Sequence, residues 1–256
     1  MAELIDFIRT TPPERHLAGT ASANEVATTT FSLAQVIAAE AIAERTSAAF
    51  IGPAGAGKTF SVVTAAAASG LPIVWIEPPV AARVRALQTS FLRALRIDFP
   101  DNAPPDTLDR LLITELASTP RVVVIDDARR VGGEGLEELR FLHCQPSAVW
   151  TLFVVGEGLE RVLSANRALE TRMPYRVSFA PLKKKESLAF AREYHPLFAT
   201  APADLLAAIE RVVRGNLRLW AQALRHVLRE VGDAQGAVLT DDAVAIALAK
   251  LRGVAA

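Results

Sequence analysis

Five short apolar runs punctuate the chain up to residue 182: AAFIGP at 48–53, PIVWIEP at 72–78, RVVVIDD at 121–127, TLFVVGE at 151–157 and YRVSFAPL at 175–182. Each is rich in Val, Ile or Phe and runs continuously instead of alternating with polar residues. That is the pattern of strands buried on both faces, as in a parallel sheet covered by helices. Between the runs, Thr59 to Ser69, Val80 to Leu95, Thr107 to Ser118, Gly135 to Cys144 and Leu159 to Glu170 read as helices. Strands and helices taking turns in this way predict an α/β doubly wound domain with a parallel, five-stranded sheet.

Beyond Pro181 the period changes. Leu205, Leu206, Ile209, Val212 and Val213 form one helical stripe; Leu217, Trp220, Leu224, Val227 and Val231 a second; Val244, Leu248 and Leu251 a third. No strand-like run remains, so a small all-helical domain is expected, with Phe190 and Trp220 in its core. The sequence KKKE at 183–186 marks the handover, and Glu186 suits the first turn of the next helix. At the other end a loop followed by a helix is expected, with Leu33 to Arg45 the clearest helical segment. The organisation is thus an N-terminal loop and helical extension over 1–45, an α/β domain over 46–182 and a helical domain over 183–256.

Composition narrows the class without naming a function. At 256 residues, 51% of them hydrophobic and 22% charged, the chain is an ordinary globular protein and not a disordered one. Lys plus Arg number 28 and so do Asp plus Glu, which excludes nucleic-acid binding through bulk positive charge and leaves only local patches. Three such patches stand out: Arg129 with Arg130, Lys183 to Lys185, and Arg211, Arg214, Arg218, Arg225 and Arg229. Each is more often a solvated face than a binding site. The single cysteine, Cys144, excludes a disulfide framework and fits a reducing cytoplasm. Beside Leu136, Leu139 and Leu142 it is expected to be a small buried apolar residue. His16, His143, His195 and His226 have no metal-ligand spacing. No signal-peptide core is visible, and the longest uncharged stretch, Ser61 to Ile76, is broken by Gly70 and Pro72, so no membrane span is expected.

The chemistry begins at residues 52–59, Gly52-Pro53-Ala54-Gly55-Ala56-Gly57-Lys58-Thr59, which satisfy G-x-x-x-x-G-K-[ST] after an expected strand and before an expected helix. Glycines let successive backbone N–H groups turn toward phosphate oxygens, the helix N-terminus adds partial positive charge, Lys58 reaches the outer phosphates and Thr59 can ligate Mg²⁺. The candidate nucleotide-binding stretch runs on to Phe60. The second signal is VVVI ending in Asp126 and Asp127, 68 and 69 residues beyond Lys58. A carboxylate at such a strand tip can hold the magnesium shell, and a second can orient a water for attack on a γ-phosphate. Alone, the pair reads equally well as a cap or a solvated turn. Asp127 is one bond shorter than the more usual Glu, which suits slow hydrolysis. The third signal, Gly215-Asn216-Leu217-Arg218, is by itself only a helix start with an exposed arginine.

In order, strand, P-loop, Walker B acids, another strand, an arginine and a helical lid opening with G-N-x-R resemble the AAA+ ATPase superfamily. IDDARRVGGEGLEELRFLH, TLFVVGEG and ALETRMPYRVSFAPL are similar to the group holding the Mu B, TniB and TnsC transposition ATPases and the ExeA-type ATPases, over about residues 46 to 225. The resemblance implies ATP and Mg²⁺ as ligands, with Asp126 in the metal shell and Asp127 orienting the water. It also implies Arg218 as the lid arginine at the γ-phosphate and Arg172 as the finger offered to a neighbouring subunit, with Arg167 and Arg176 as rivals. The polar position at the end of the fourth strand falls on Val155-Gly156-Glu157, which carries no Asn or Thr, so that role stays unassigned. Further implications are a ring or helical self-assembly, non-specific binding of double-stranded DNA in the ATP state and a DDE-type transposase as partner. Two rival expectations remain: an ATPase that acts on a protein partner without DNA, and a small-molecule kinase built on the same loop.

Overall fold

The computed structural model describes residues 23–232 and 237–254; His16 and most of the expected N-terminal loop lie outside them. The described residues fall into two compact units, one of 30–54 and 58–179, the other of 23–29, 55–57, 180–232 and 237–254.

The first unit opens with α1 (Thr29–Ala43) and β1 (Ser47–Ile51), followed by α2 (Lys58–Ala68) and β2 (Ile73–Ile76). Helices α3 (Val84–Ala94) and α4 (Pro105–Leu116) lead to β3 (Val122–Ile125). A 3-10 turn (Ala128–Val131) and α5 (Gly132–His143) precede β4 (Thr151–Gly156). Helices α6 (Leu159–Ala165) and α7 (Arg167–Arg172) then lead to β5 (Tyr175–Ser178). The five strands make one parallel sheet in the order β2-β3-β4-β1-β5.

Every residue of β1, β3 and β4 is buried, which is why those stretches read as continuous apolar runs. The pleat sends alternate side chains to opposite faces. Ile51, Val74, Val123, Ile125, Leu152 and Val154 pack with Leu87, Phe91, Leu108, Leu112, Leu136 and Leu139 in one core, while Phe50 and Phe153 meet edge-on at 5.2 Å. The order brings the C-terminal ends of β1, β4 and β3 side by side, with Ile51 opposite Gly156 and Ile125 opposite Val154. Loops that carry ligands in open parallel sheets leave from such ends.

The second unit contains α8 (Lys184–Tyr194), α9 (Pro196–Ala199), α10 (Ala203–Val213), α11 (Leu217–Val231) and α12 (Asp241–Val254). Phe198 and Trp220 meet edge-on at 5.5 Å in its core, and the Trp220 indole N–H donates to Ser187 Oγ at 2.8 Å. Ser187 in turn donates to the buried Glu210 carboxylate. Glu186 does sit in the first turn of α8, where its carboxylate accepts the Lys183 amide. Ala23 and Val26 pack against this core, and the Asn24 amide donates to the Tyr194 carbonyl at 2.8 Å.

Three expectations are corrected. The helix expected over Leu159–Glu170 is two helices, broken at Asn166, whose side chain accepts the amides of Ala168 and Leu169 and so starts α7 afresh. The helix expected from Val80 begins at Val84, because Ala81 adopts a left-handed φ of 54° that no helix continues through. Cys144 is exposed, not buried. It follows the last residue of α5, and at about 100° per residue it points well away from the stripe of Leu139 and Leu142. Among the described residues no helix is long and apolar enough to cross a membrane.

Candidate nucleotide-binding site

The loop between β1 and α2 is anchored at its base by the Gly52 amide, which donates to the Gly156 carbonyl at the tip of β4 at 3.2 Å. Gly55 and Gly57 hold left-handed φ values of 79° and 95°, which an L side chain rarely adopts, and this turns the backbone through the loop. Lys58, the first residue of α2, is only 9% exposed, and its ammonium donates to the carbonyls of Gly52 at 2.7 Å and Pro53 at 2.8 Å. The loop therefore encircles a cation at the positive end of a helix. Phe60 packs on Phe31 of α1 at 5.7 Å, so its ring serves the packing of α1 on α2.

At the tip of β3 the two neighbouring acids part company. Asp126 accepts the Thr59 hydroxyl on Oδ2 at 3.3 Å and the Asp127 amide on Oδ1 at 2.9 Å. Burial is the main force lifting its carboxyl above the usual carboxylate range, and the charges of Asp127 and Glu77 add to it against those two hydrogen bonds. Two oxygen donors 3.3 Å apart suit adjacent positions around Mg²⁺, whose ligands at about 2.1 Å stand about 3 Å from one another in an octahedron. A cation there would also offset the cost of burying the Asp126 charge, so donor set and electrostatics both fit the metal. Asp127, by contrast, turns away into a left-handed conformation (φ 52°, ψ 40°) and pairs with Arg130 at 2.8 Å. In the sequence Arg130 reads only as part of a basic patch. The spacing of Asp127 and Arg130, three apart in a helical turn, was the available sign of the pair.

The strand β4 between these two loops ends in Gly156, followed by the exposed Glu157. Arg172 closes α7 as an exposed side chain, while its own carbonyl accepts the Ser47 hydroxyl at 2.7 Å. Its rivals differ: Arg176 is folded back on the Met173 and Glu170 carbonyls, and Arg167 is exposed at the start of α7. In the second unit Asn216 caps α11, its side chain accepting the Leu219 amide at 3.2 Å, and Arg218 is exposed in the first turn. Residues 55–57 group with this unit, where the Gly55 carbonyl accepts the amides of Leu217 at 3.0 Å and Arg218 at 3.3 Å. Arg211, Arg214, Arg218 and Arg229 are exposed and Arg225 half-buried, as are Lys183, Lys184 and Lys185 exposed at the start of α8.

This sheet order, with its loop, lysine and strand-tip acid and with a separate helical region, is the AAA+ fold of P-loop NTPases. Residues 42–163 match the family described as AAA domain. No curated protein matches the sequence. Among solved structures the chain is similar to the Aeropyrum pernix ORC2 protein in its ADPNP–ADP complexes (TM-score 0.66, 16% identity, 93% of this chain and 71% of that one). It is also similar to Cdc6p from Pyrobaculum aerophilum (TM-score 0.69, 18% identity, 85% and 65%) and to the Aeropyrum pernix ORC1 protein in complex with DNA (TM-score 0.64, 14% identity, 92% and 68%). It spans 65–71% of the length of these chains. At such identities the likeness is one of fold.

Proposed function

We propose that this protein is an AAA+ ATPase that binds and hydrolyses Mg·ATP, assembles with copies of itself and, in the ATP state, binds double-stranded DNA non-specifically as a target-selection factor for a DDE-type transposase. The observation that carries the nucleotide reading is the meeting of Thr59 with Asp126 beside a loop closed around the Lys58 ammonium. The loop of residues 52–60, through its amides from Ala54 onward, and Lys58 hold the phosphate oxygens; Thr59 and Asp126 supply the metal oxygens. Bound Mg²⁺ would neutralise charge developing between the β- and γ-phosphates. Asp127 orients the attacking water, Arg218 takes up γ-phosphate charge, and Arg172 does the same for a neighbouring copy. An arginine supplied in trans is typically worth about 10³ to 10⁵ in rate, so turnover should rise with assembly.

Support for the DNA and transposition part is the run LRFLH followed by TR…PL, the exposed arginines of α10 and α11 and the likeness in fold to a protein solved with DNA. With 28 charges of each sign the protein would rely on many weak patches in one assembly.

Calorimetric titration with Mg·ATP tests the core of this reading. Lys58→Ala should weaken binding by about tenfold to a hundredfold, as expected for losing a charge-assisted hydrogen bond to phosphate, and unchanged affinity overturns it. Sedimentation with a slowly hydrolysed ATP analogue should show oligomers at micromolar concentration. A DNA titration with ATP at rising salt should show binding that weakens steeply; no binding at low salt sinks the DNA part and leaves a protein-directed ATPase. ADP formation that depends strictly on a metabolite would instead identify a kinase.

A further inference from the structure

We propose that the groove bounded by α3, α5 and the α6–α7 junction is a docking site for an arginine-bearing segment of a partner protein. Every residue that lines it belongs to the first unit, and Lys58, Thr59 and Asp126 are not among them. The site is therefore independent of the nucleotide reading.

The groove has a volume of about 600 Å³, within the range of pockets that take small ligands. One wall is α5, which contributes Glu134, Glu137 and Glu138 at helical spacing and Phe141 a turn further on. Phe141 is 43% exposed and is the one aromatic among the large apolar side chains left exposed in the described residues. Gly133 keeps the groove open beside the acids, with nothing within 4 Å of its Cβ position. The only base in the lining, Arg140, is taken up by Glu137 at 2.6 Å, and the Asn166 amide donates to the same carboxylate. Glu134 is exposed and has no such partner among the described residues.

Glu138 is short of a cation. From α4 it faces Asp109 and from α3 the Gln88 amide, which donates to both acids; Glu134 and Glu137 stand beside it on α5, and Arg140 is turned to Glu137. Gln88 is 2% exposed, and its Oε1 has no partner among the described residues. Burial first, then the hydrogen bond with Asp109, lifts the Glu138 carboxyl to about 7, so a proton sits where a positive charge would serve. A carboxyl perturbed in this way within a cleft marks a functional site. Among the described residues no group of acids, histidines and cysteines could hold a metal ion, and an acidic wall repels nucleic-acid phosphates. A guanidinium meets what the groove offers: its planar fork donates to carboxylates such as Glu134 and Glu138, and its face stacks on an aromatic ring such as Phe141.

NMR titration of the isotope-labelled full chain with the capped peptide RALRA tests the proposal, with KALKA and EALEA as comparisons. RALRA should shift the amides of α5 and Asn166 saturably, KALKA should bind more weakly and EALEA not at all. Glu134→Gln, Glu138→Gln and Phe141→Ala should each weaken RALRA binding by about two- to fivefold. Glu160→Gln, which removes an exposed acid of α6 outside the groove, should leave it unchanged. Wild-type affinity should rise between about pH 6 and about pH 8 as Glu138 gives up its proton, and stay level in Glu138→Gln. No saturable shift in α5, equal binding of EALEA, unchanged affinity in all three groove variants with wild-type melting, or an equal pH response in Glu138→Gln overturns the proposal. If RALRA leaves α5 untouched and the chain instead self-associates in a way that Glu134→Gln abolishes, the groove is an interface between copies and the proposal fails.

Discussion

Gly52 shows how little room the chemistry leaves a single residue. A Cβ built on it would lie 2.2 Å from the Phe179 carbonyl oxygen, whose own amide donates to Ile51 across the β1–β5 edge. The obstacle is backbone and cannot rotate away, so Gly52→Ala must push β5 from β1. It is expected to lower unfolding stability by about 1–3 kcal/mol, within the range of overpacked sites, and to weaken Mg·ATP binding by shifting the loop. Gly133 in the first turn of α5 has nothing within 4 Å of its Cβ position. Gly133→Ala should change stability by less than about 1 kcal/mol, in the stabilising direction. Chemical denaturation of the two variants checks the contrast; equal losses would show that the clash at Gly52 is relieved at no cost.

At the scale of elements, α3, α4 and α5 are joined through an acid pair. The Gln88 amide on α3, only 2% exposed, donates to Asp109 on α4 at 2.6 Å and to Glu138 on α5 at 3.0 Å. Burial above all, then a hydrogen bond with Asp109, pushes the Glu138 carboxyl up from 4.5 to about 7. The folded chain therefore keeps a proton that the unfolded chain has released between those values. Stability from this group is present in full below about 4.5 and is lost as pH rises to about 7. Relative to wild type, Glu138→Gln should flatten the decline in melting temperature between pH 5.5 and about pH 7, because the amide stays neutral throughout. Parallel melting curves for the two proteins across that window would remove Glu138 from the account.

For the whole molecule, the decisive feature is that the two units have hydrophobic cores with no residue in common, one centred on Leu87, Phe91 and the sheet, the other on Phe198 and Trp220. Trp220 is fully buried against Phe198 and hydrogen-bonded to Ser187. Trp220→Ala should cost about 3–5 kcal/mol, and calorimetry should place the loss in one of two separable transitions. Phe91→Ala should lower the other. A single transition lowered equally by both variants would show that the units unfold as one. The apolar runs and the P-loop were legible in the chain because both are local: a strand buried on two faces must be continuously apolar, and an amide-lined turn must spell its glycines and lysine in order. The helical period of the second unit was legible for the same reason. The strand order was not, since pairing joins residues far apart in sequence, and neither was the half-buried setting of Glu138. Two adjacent aspartates look alike on paper. Only the folded chain turns Asp126 toward Thr59 and Asp127 toward Arg130, because the left-handed backbone at Asp127 and the partners waiting on either side exist only once β2, β3 and α2 have come together.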